Sequence, residues 1–298
     1  MKADIIVYLK IGQTNRMISE NIHPFFQGYK FFGFVHRGGD EKKTENTLEA
    51  FQYSSDLGFV FMETDVQSTS DGRVVIFHDA DLKRIAGIDK KIKDLTFDEV
   101  TNIDLINGGK IPSLEETLFS FPNLRFNIDI KTNSAVEESI KIIKSQEALT
   151  RVCLASFSNK RIRRIRKLAG SQSCTSMSQL EVVNAIFHVL AENLGSGINL
   201  RRKMRGDEAY FKSKWMRATI PFNGIPDCAQ VPVGQWGIPI VTQSFIRIMN
   251  LLGKFVHVWT IDEPEEMNRL IDLGVDGLMT DKPSILKSTL IDRGLFNY

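Results

Sequence analysis

Three carboxylate residues lie in apolar runs of the chain, at positions from which their side chains could share one cation. Glu63 and Asp65 are two residues apart in the run 60–66, so a β-strand would point both to the same side. Asp129 lies in a later run of the same kind, 125–131. Carboxylates that converge in a water-poor site require a cation, and oxygen ligands alone favour Mg²⁺ or Ca²⁺ over zinc. The pattern therefore predicts that Glu63, Asp65 and Asp129 bind a divalent metal ion.

Two histidines and two cationic residues occur at similar points of the chain. His36-Arg37 and His78 each close a short apolar run, and Lys131 has the same strand parity as Asp129. Arginine offers a planar fork to a phosphate and lysine a point charge. Two histidines can act as general base and general acid, while the metal and the cations stabilise charge on the phosphoryl oxygens. These residues predict an in-line displacement at phosphorus.

These side chains can meet only in a fold that brings the ends of several strands together. From residue 33 onward the sequence has the pattern of such a fold. Short β-branched runs alternate with amphipathic stretches, some opened by capping signals such as Thr96-x-x-Glu99. Many β-α units without a Gly-rich nucleotide loop favour a closed barrel, whose active sites lie at the strand C-terminal ends. The predicted strands are Gly33–His36, Val60–Val66, Val74–His78, Arg125–Lys131, Val152–Phe157, Phe255–Thr260 and Gly277–Thr280, with Ala229–Val233 and Ile238–Thr242 as shorter candidates.

The domain organisation follows from this pattern. We expect one α/β domain over residues 1–298, a (β/α)₈ TIM barrel whose barrel proper spans about 33–290. The segment before it ends in His23-Pro24-Phe25-Phe26 and is predicted to pack across one end of the barrel. Residues 181–223 carry a helical pattern, scattered aromatic residues and a basic cluster, and are predicted to be an excursion that caps the barrel.

Composition limits the binding partners and the cellular compartment that we expect. The net charge of +2 demands neither nucleic acid nor an acidic membrane as partner. The basic run 161–167 interleaves with apolar residues and indicates a helix with a solvated basic face rather than a nucleic-acid site. Three widely spaced cysteines indicate free thiols and a reducing compartment. With no apolar run of membrane-spanning length, a cytoplasmic protein is predicted, and its oligomeric state is left open.

A series of short motifs runs in a fixed order from about His23 to Pro283. They are His36-Arg37-Gly38-Gly39, Glu45-Asn46-Thr47, Glu63-Thr64-Asp65-Val66, Asp71-Gly72, Val75–Asp79, Ile111–Glu116, Asn127–Lys131, Ser156-Phe157-Ser158, Val258-Trp259-Thr260 and Asp276–Pro283. Each motif is weak by itself, whereas the ordered set with these spacings is highly specific. It resembles the glycerophosphodiester phosphodiesterases, especially the bacterial type.

The resemblance implies a TIM-barrel enzyme that cleaves a small glycerophosphodiester to glycerol 3-phosphate and an alcohol. His36 and His78 would be the acid/base pair, Arg37 would hold the phosphate, and Lys131 would contact the phosphoryl oxygens. Trp259 would line the substrate pocket. Whether water or the substrate's own glycerol hydroxyl attacks phosphorus is left open.

The resemblance also implies the divalent metal ion, with Glu63, Asp65 and Asp129 as its ligands. Many members of the family have glutamate where this chain has Asp129, and the shorter side chain could change the metal preference or admit a water molecule. Glu45 and Asn46 are predicted to fix the first loop and cap the helix that begins near Thr47, with Glu45 also a candidate to support the metal site from outside.

Two other functions remain open. A lysophospholipase D would apply the same chemistry to acylated glycerophospholipids, and Phe25–Phe34 with residues 181–223 could supply its acyl groove, although Phe31–Phe34 is more simply a core strand. A catalytically silent barrel that binds a phosphorylated metabolite is the second. The presence of both histidines, both cations and all three carboxylates argues against the silent barrel.

Overall fold

The computed structural model describes residues 6–11, 14–19, 22–193, 226–235 and 237–296. Its strands are β1 (Ile6–Ile11), β2 (Thr14–Ser19), β3 (Phe32–Val35), β4 (Phe61–Ser68), β5 (Val74–Ile76), β6 (Arg125–Ile130), β7 (Val152–Ala155), β8 (Cys174–Thr175), β9 (Cys228–Val231), β10 (Gly234–Gln235), β11 (Ile238–Pro239), β12 (Phe255–Val258) and β13 (Gly277–Thr280). Its α-helices are α1 (Leu48–Asp56), α2 (Lys83–Ala86), α3 (Phe97–Thr101), α4 (Leu114–Ser120), α5 (Ala135–Ser145), α6 (Asn159–Ala169), α7 (Gln179–Asn193), α8 (Gln243–Leu251), α9 (Pro264–Leu273) and α10 (Pro283–Asp292).

Eight parallel strands of the described chain follow one another around a barrel. Their order is β3, β4, β6, β7, β8, β9, β12 and β13, and β13 pairs again with β3. The step from β8 to β9 is made by the parallel bridge between Ser176 and Cys228, and by a hydrogen bond from Met177 N to Cys228 O. The predicted (β/α)₈ barrel is confirmed. The C-terminal ends of all eight strands therefore meet at one mouth.

Aromatic side chains close the opposite, N-terminal end of the barrel. Phe26, from the segment before β3, has its ring centroid 4.4 Å from that of Phe255 and 5.2 Å from that of Phe32. Phe25 lies 5.5 Å from Phe61, and these partners are the first residues of their strands. Burial of such rings is among the largest apolar contributions a side chain makes. This part of the predicted capping segment is confirmed, and it leaves the other end of the barrel for chemistry.

Some predicted strands are shorter than expected and lie outside the barrel order, and one barrel strand was missed. The strand predicted at Val74–His78 is the short β5, which pairs antiparallel with β4 outside the barrel order. The candidate at Ile238–Thr242 is β11, one arm of a small hairpin with β10. The barrel strand β8 was not predicted, because its two residues are too few to carry a periodic pattern.

The basic run on α6 is only partly solvated. Arg163, Arg164 and Lys167 are exposed, as predicted. Arg166 is buried and forms two hydrogen bonds with the buried Glu181 of α7, at 2.6 and 3.0 Å. The prediction of a wholly solvated face was wrong there, because sequence alone does not show that α7 supplies a carboxylate to neutralise Arg166.

Other predictions concern the flanking segments. The stretch predicted to cap the barrel begins within the helix α7, but its residues 194–223 lie outside the described residues, as do residues 1–5, 12, 13, 20 and 21 of the N-terminal segment. The three cysteines are free thiols, with Cys153 Sγ and Cys228 Sγ 3.9 Å apart inside the barrel. Within the described ranges, no helix combines the length and the apolar character needed to cross a bilayer.

Candidate active site

The first barrel strand ends in a tight turn that holds His36 and Arg37 at the mouth. Arg37 has a left-handed backbone with φ of 53°, and Gly38 and Gly39 follow with φ of 78° and 84°. A Cβ added to Gly38 would lie 2.9 Å from the Cβ of Ala50, so the close approach of α1 requires glycine at this position. The His-Arg-Gly-Gly motif therefore shapes the turn as well as supplying ionisable groups.

His36 is held by a carboxylate from the last barrel strand. Its Nδ1 lies 2.7 Å from Asp281 Oδ1, and its Nε2 lies 3.7 Å from Glu63 Oε2. Asp281 is fixed in turn, because its backbone N–H donates to Asp262 Oδ1 at 2.8 Å. Burial alone would lower the pKa of His36, but the Glu63 and Asp281 carboxylates outweigh it and raise that pKa. With Nδ1 occupied, Nε2 is the ring nitrogen available for proton transfer.

The three predicted metal ligands lie side by side below the histidine. Strands β4 and β6 are parallel and in register, with Asp65 opposite Asp129. Glu63, Asp65 and Asp129 are all buried. Lys131 Nζ bridges the two aspartates, at 2.8 Å from Asp65 Oδ1 and 2.8 Å from Asp129 Oδ2. Asp129 Oδ1 has no hydrogen-bond partner in the described part of the chain.

The charges of this cluster are unevenly compensated. Burial and the neighbouring Asp65 charge raise the pKa of Glu63 to about 8. Burial also raises the pKa of Asp129, whereas at Asp65 the effect of burial is outweighed by Lys131 and the pKa is lowered. Burial acts to lower the pKa of Lys131, but Asp65 and Asp129 outweigh it and raise that pKa. Negative charge at Glu63 is thus the least compensated in the cluster.

Arg37 links the carboxylates to the first loop. Its Nε lies 3.4 Å from Asp65 Oδ2, and its Nη1 donates to Glu45 Oε1 at 3.0 Å. Asn46, predicted to cap α1, instead donates from Nδ2 to Asp65 Oδ2 at 3.1 Å, while Thr47 is the N-cap of the helix. The prediction that Glu45 and Asn46 fix the first loop fits these contacts. The capping role assigned to Asn46 was wrong, because its left-handed backbone aims its side chain into the barrel.

His78 has a carboxylate partner of its own. Its Nδ1 lies 2.8 Å from Asp79 Oδ1, and Asp79 Oδ2 accepts a hydrogen bond from Arg84 Nε at 2.6 Å. The side-chain amide of Gln67 donates to the backbone carbonyls of Phe77, His78 and Asp79 at 3.1, 3.2 and 2.6 Å. The loop that carries His78 is therefore anchored to β4, the strand that carries Glu63 and Asp65.

An aromatic pair lies beside Lys131. Trp259, at the end of β12, is half-buried and packs edge-to-face against Phe157 with ring centroids 5.8 Å apart. Phe157 is 48% exposed, and its ring centroid lies 5.6 Å from Lys131 Nζ. Phe157, which had no predicted role, thus contacts both Trp259, the predicted pocket residue, and Lys131, a predicted phosphate-binding residue.

The donor set suits a hard divalent cation. Glu63, Asp65 and Asp129 offer oxygen atoms alone, one of the Asp129 oxygens is unpaired, and the nearby cations only partly compensate the Glu63 carboxylate. In this structure the ammonium of Lys131 is the cation between the two aspartates. Among the described residues, no three ligand side chains are already arranged around one point. A metal ion would therefore share these carboxylates with Lys131 or displace it.

The raised pKa of Glu63 makes the stability of the metal-free fold depend on pH. Its pKa of about 8 in the folded chain exceeds the ordinary 4.5, so the folded state binds more protons than the unfolded state between these values. Stability is therefore lost as pH rises through that window. We expect metal-free Glu63→Gln to melt above the metal-free wild type, by a margin that grows from pH 5 to pH 8. Thermal unfolding in chelator checks this, and an equal margin at both pH values would contradict it.

The comparison with known proteins decides the family. A profile of the Glycerophosphoryl diester phosphodiesterase family matches residues 36–285, which include every side chain of the site described above. The chain belongs to this family. Membership in the glycerophosphoryl diester phosphodiesterases confirms the resemblance and the enzyme class predicted from the ordered motifs.

Individual family members agree with this membership. The Mycobacterium tuberculosis protein named probable glycerophosphodiester phosphodiesterase 2 is 35% identical over 261 residues, 87% of this chain and 90% of its own. A human lysophospholipase D is 27% identical over 269 residues, 86% of this chain and 84% of its own. The fold matches a phosphodiesterase from Oleispira antarctica solved with the product sn-glycerol-3-phosphate, at a TM-score of 0.60 and 20% identity, covering 87% and 96% of the two chains.

Sequence reasoning missed the residues that hold the predicted ones in place. Asp281 stood inside the motif Asp276–Pro283, and that motif could have marked it as a partner of the site. Arg84 and Gln67 lie outside the ordered motifs. Their roles depend on which loops the barrel brings together, which is not visible in local spacing.

Proposed function

We propose that this family member hydrolyses small glycerophosphodiesters to glycerol 3-phosphate and an alcohol, with a divalent metal ion and with His36 and His78 as the acid/base pair. One observation carries the proposal. Two histidines, each with Nδ1 against a carboxylate, share a barrel mouth with three buried carboxylates and Lys131. The product named for the Oleispira phosphodiesterase, sn-glycerol-3-phosphate, supports the choice of substrate.

Glu63, Asp65 and Asp129 are the residues that would hold the metal ion, either Mg²⁺ or Ca²⁺. When bound, such an ion polarises the phosphoryl group and offsets charge on its oxygens. The unpaired oxygen of Asp129 and the only partly compensated carboxylate of Glu63 support this assignment. Asp129 places its carboxylate one methylene further back than a glutamate would, so we expect this position to influence metal preference.

The proposed proton transfers use the outer nitrogens of both histidines. Asp281 occupies Nδ1 of His36 and Asp79 occupies Nδ1 of His78, so each ring presents Nε2 for exchange. One histidine takes the proton of the attacking hydroxyl, and the other gives a proton to the departing alcohol oxygen. The same pair serves whether the attacking hydroxyl belongs to water or to the glycerol of the substrate.

Arg37, Lys131 and Trp259 are assigned to the substrate. Arg37 and Lys131 would bind the phosphate oxygens, the first as a fork and the second as a point charge. Both are tied to carboxylates in this structure, which holds their charged ends at the mouth. Trp259, with Phe157 beside it, would form an apolar wall against the carbon atoms of the substrate.

A lysophospholipase D is the second candidate, favoured by the human relative of that name and by the exposed ring of Phe157. The segment Phe25–Phe34, expected to supply part of its acyl groove, lies at the opposite end of the barrel, and all of its phenylalanines are buried. The shorter substrate therefore remains the leading choice. A single domain over residues 1–298 and a cytoplasmic location also stay as proposals.

Glycerophosphocholine and lysophosphatidylcholine separate these two functions, because they share the phosphocholine ester and differ in the acyl chain. We expect kcat/KM for glycerophosphocholine to exceed that for the lysolipid by on the order of tenfold or more, since the described mouth offers only one exposed phenylalanine for the chain. The assay measures choline release with lysolipid kept below its micelle concentration. The opposite order would replace the leading proposal with the second.

A further inference from the structure

We propose that Arg84 is a positioning residue that holds His78 and Arg37 in one arrangement by binding a carboxylate partner of each. The proposal rests on the phosphodiesterase function above, which makes these two side chains the proton-transfer and phosphate-binding groups. Arg84 lies on the short helix α2 and touches neither of them directly. It acts through Asp79 and Glu45.

The contacts of Arg84 use both edges of its guanidinium group. Nε donates to Asp79 Oδ2 at 2.6 Å, and Asp79 Oδ1 lies 2.8 Å from His78 Nδ1. Nη1 and Nη2 donate to the two oxygens of Glu45 at 2.8 and 2.5 Å. Glu45 Oε1 also accepts a hydrogen bond from Arg37 Nη1 at 3.0 Å. An unbroken chain of charged contacts thus runs from His78 to Arg37.

This chain joins two separate loops. Glu45 lies in the loop that follows β3 and carries Arg37, whereas Asp79 lies in the loop that follows β5 and carries His78. Arg84 spans them with three donors in a fixed plane, which a lysine ammonium cannot reproduce because it is a single point charge. The side chain of Arg84 is 49% exposed, so its ion pairs add little to folding stability. Its contribution is therefore to geometry.

Arg84 also affects how easily the side chain of Arg37 can leave Glu45 and bind a phosphate oxygen. Burial acts to raise the pKa of Glu45, but the bonds from Arg84 and Arg37 outweigh it and keep that carboxyl ionised. When Arg37 leaves Glu45 for a phosphate oxygen, Arg84 still compensates the carboxylate. Without Arg84, Glu45 would have Arg37 as its guanidinium partner and would compete with the substrate for it.

Two kinetic effects follow from removing Arg84. Loss of the Asp79 anchor should lower kcat, and stronger retention of Arg37 by Glu45 should raise KM. For Arg84→Ala we expect kcat to fall by about 10- to 100-fold, by analogy with residues that orient a metal ligand from outside. Arg84→Lys should recover part of kcat, because one ammonium can bind one of the two carboxylates. Lys83→Ala, a neighbouring exposed residue on the same helix, should match the wild type.

Steady-state kinetics of the full chain with glycerophosphocholine, in saturating Mg²⁺, tests this together with a double-mutant cycle. If Arg84 acts on kcat through Asp79, Arg84→Ala should lower kcat much less in an Asp79→Asn background than in the wild type. Wild-type values for Arg84→Ala, or losses that simply multiply in the double variant, would overturn the proposal. A wild type without phosphodiesterase activity would instead contradict the proposed function, so the two failures are distinguishable.

Discussion

Replacing His36 or His78 with alanine is expected to lower kcat by about 10²- to 10⁴-fold, the range that a positioned general acid or base contributes. Each ring is hydrogen-bonded to a carboxylate through Nδ1, which leaves Nε2 as the nitrogen for proton transfer. The measurement is steady-state turnover of glycerophosphocholine at saturating metal and substrate. Each single variant should lose turnover, because the displacement needs one group that accepts a proton and another that donates one.

We expect both variants to fold, so that a loss of turnover reports on the chemistry and not on unfolding. His36 and His78 have side-chain exposures of 17% and 32% and lie at the rim rather than in the core. His23→Gln is the matched control, since His23 lies in the segment that closes the opposite end and contacts the Gln172 carbonyl there. Circular dichroism should report folded protein in all three variants. Near-wild-type turnover by His36→Ala or His78→Ala would remove that residue from the proposed chemistry.

Removing the divalent ion is expected to abolish turnover, and Asp65→Asn is expected to prevent its restoration. Asp65 is buried and lies within reach of Lys131, Arg37 and Asn46, so its charge holds the centre of the site together. A bound ion stabilises the folded state by mass action. The wild type should therefore melt at a higher temperature when Mg²⁺ or Ca²⁺ is added after chelation, and Asp65→Asn should not.

A matched carboxylate separates metal binding from a general effect of charge. Asp56, at the C-terminal end of α1, contacts Gln52 and lies away from the mouth. Asp56→Asn should keep both the activity and the metal-dependent rise in melting temperature. An Asp65→Asn variant that still melts higher with metal and turns over at the wild-type rate would show that Asp65 does not bind the ion.

Much of the fold and the chemistry could be predicted from the chain because the signals are local. Strand parity depends only on residues two positions apart in one strand, and it predicted that Glu63 and Asp65 share a side of β4, where both lie against Arg37. The alternation of apolar runs and amphipathic stretches predicted the barrel, although β8 was missed because two residues carry no period. The ordered motifs then led to the family.

The supporting residues could not be predicted, because their contacts are made only when the barrel closes. Asp281 meets His36 across 245 positions of sequence. Arg84 meets Glu45 across 39 positions, through loops whose spacing says nothing about their contact. Arg166 was assigned to solvent because its carboxylate partner, Glu181, lies on a different helix. In each case the missing information is which charged partner the fold supplies.

The most direct test of the proposed function is a metal-reconstitution assay read by phosphorus NMR. Protein stripped of metal is mixed with glycerophosphocholine, and Mg²⁺ or Ca²⁺ is then added. We predict that glycerol 3-phosphate accumulates only after the metal is added, and that His78→Ala forms it about 100-fold more slowly or slower still. Binding of glycerol 3-phosphate without any metal-stimulated hydrolysis would contradict the proposal and would indicate a barrel that binds a phosphorylated metabolite but does not cleave it.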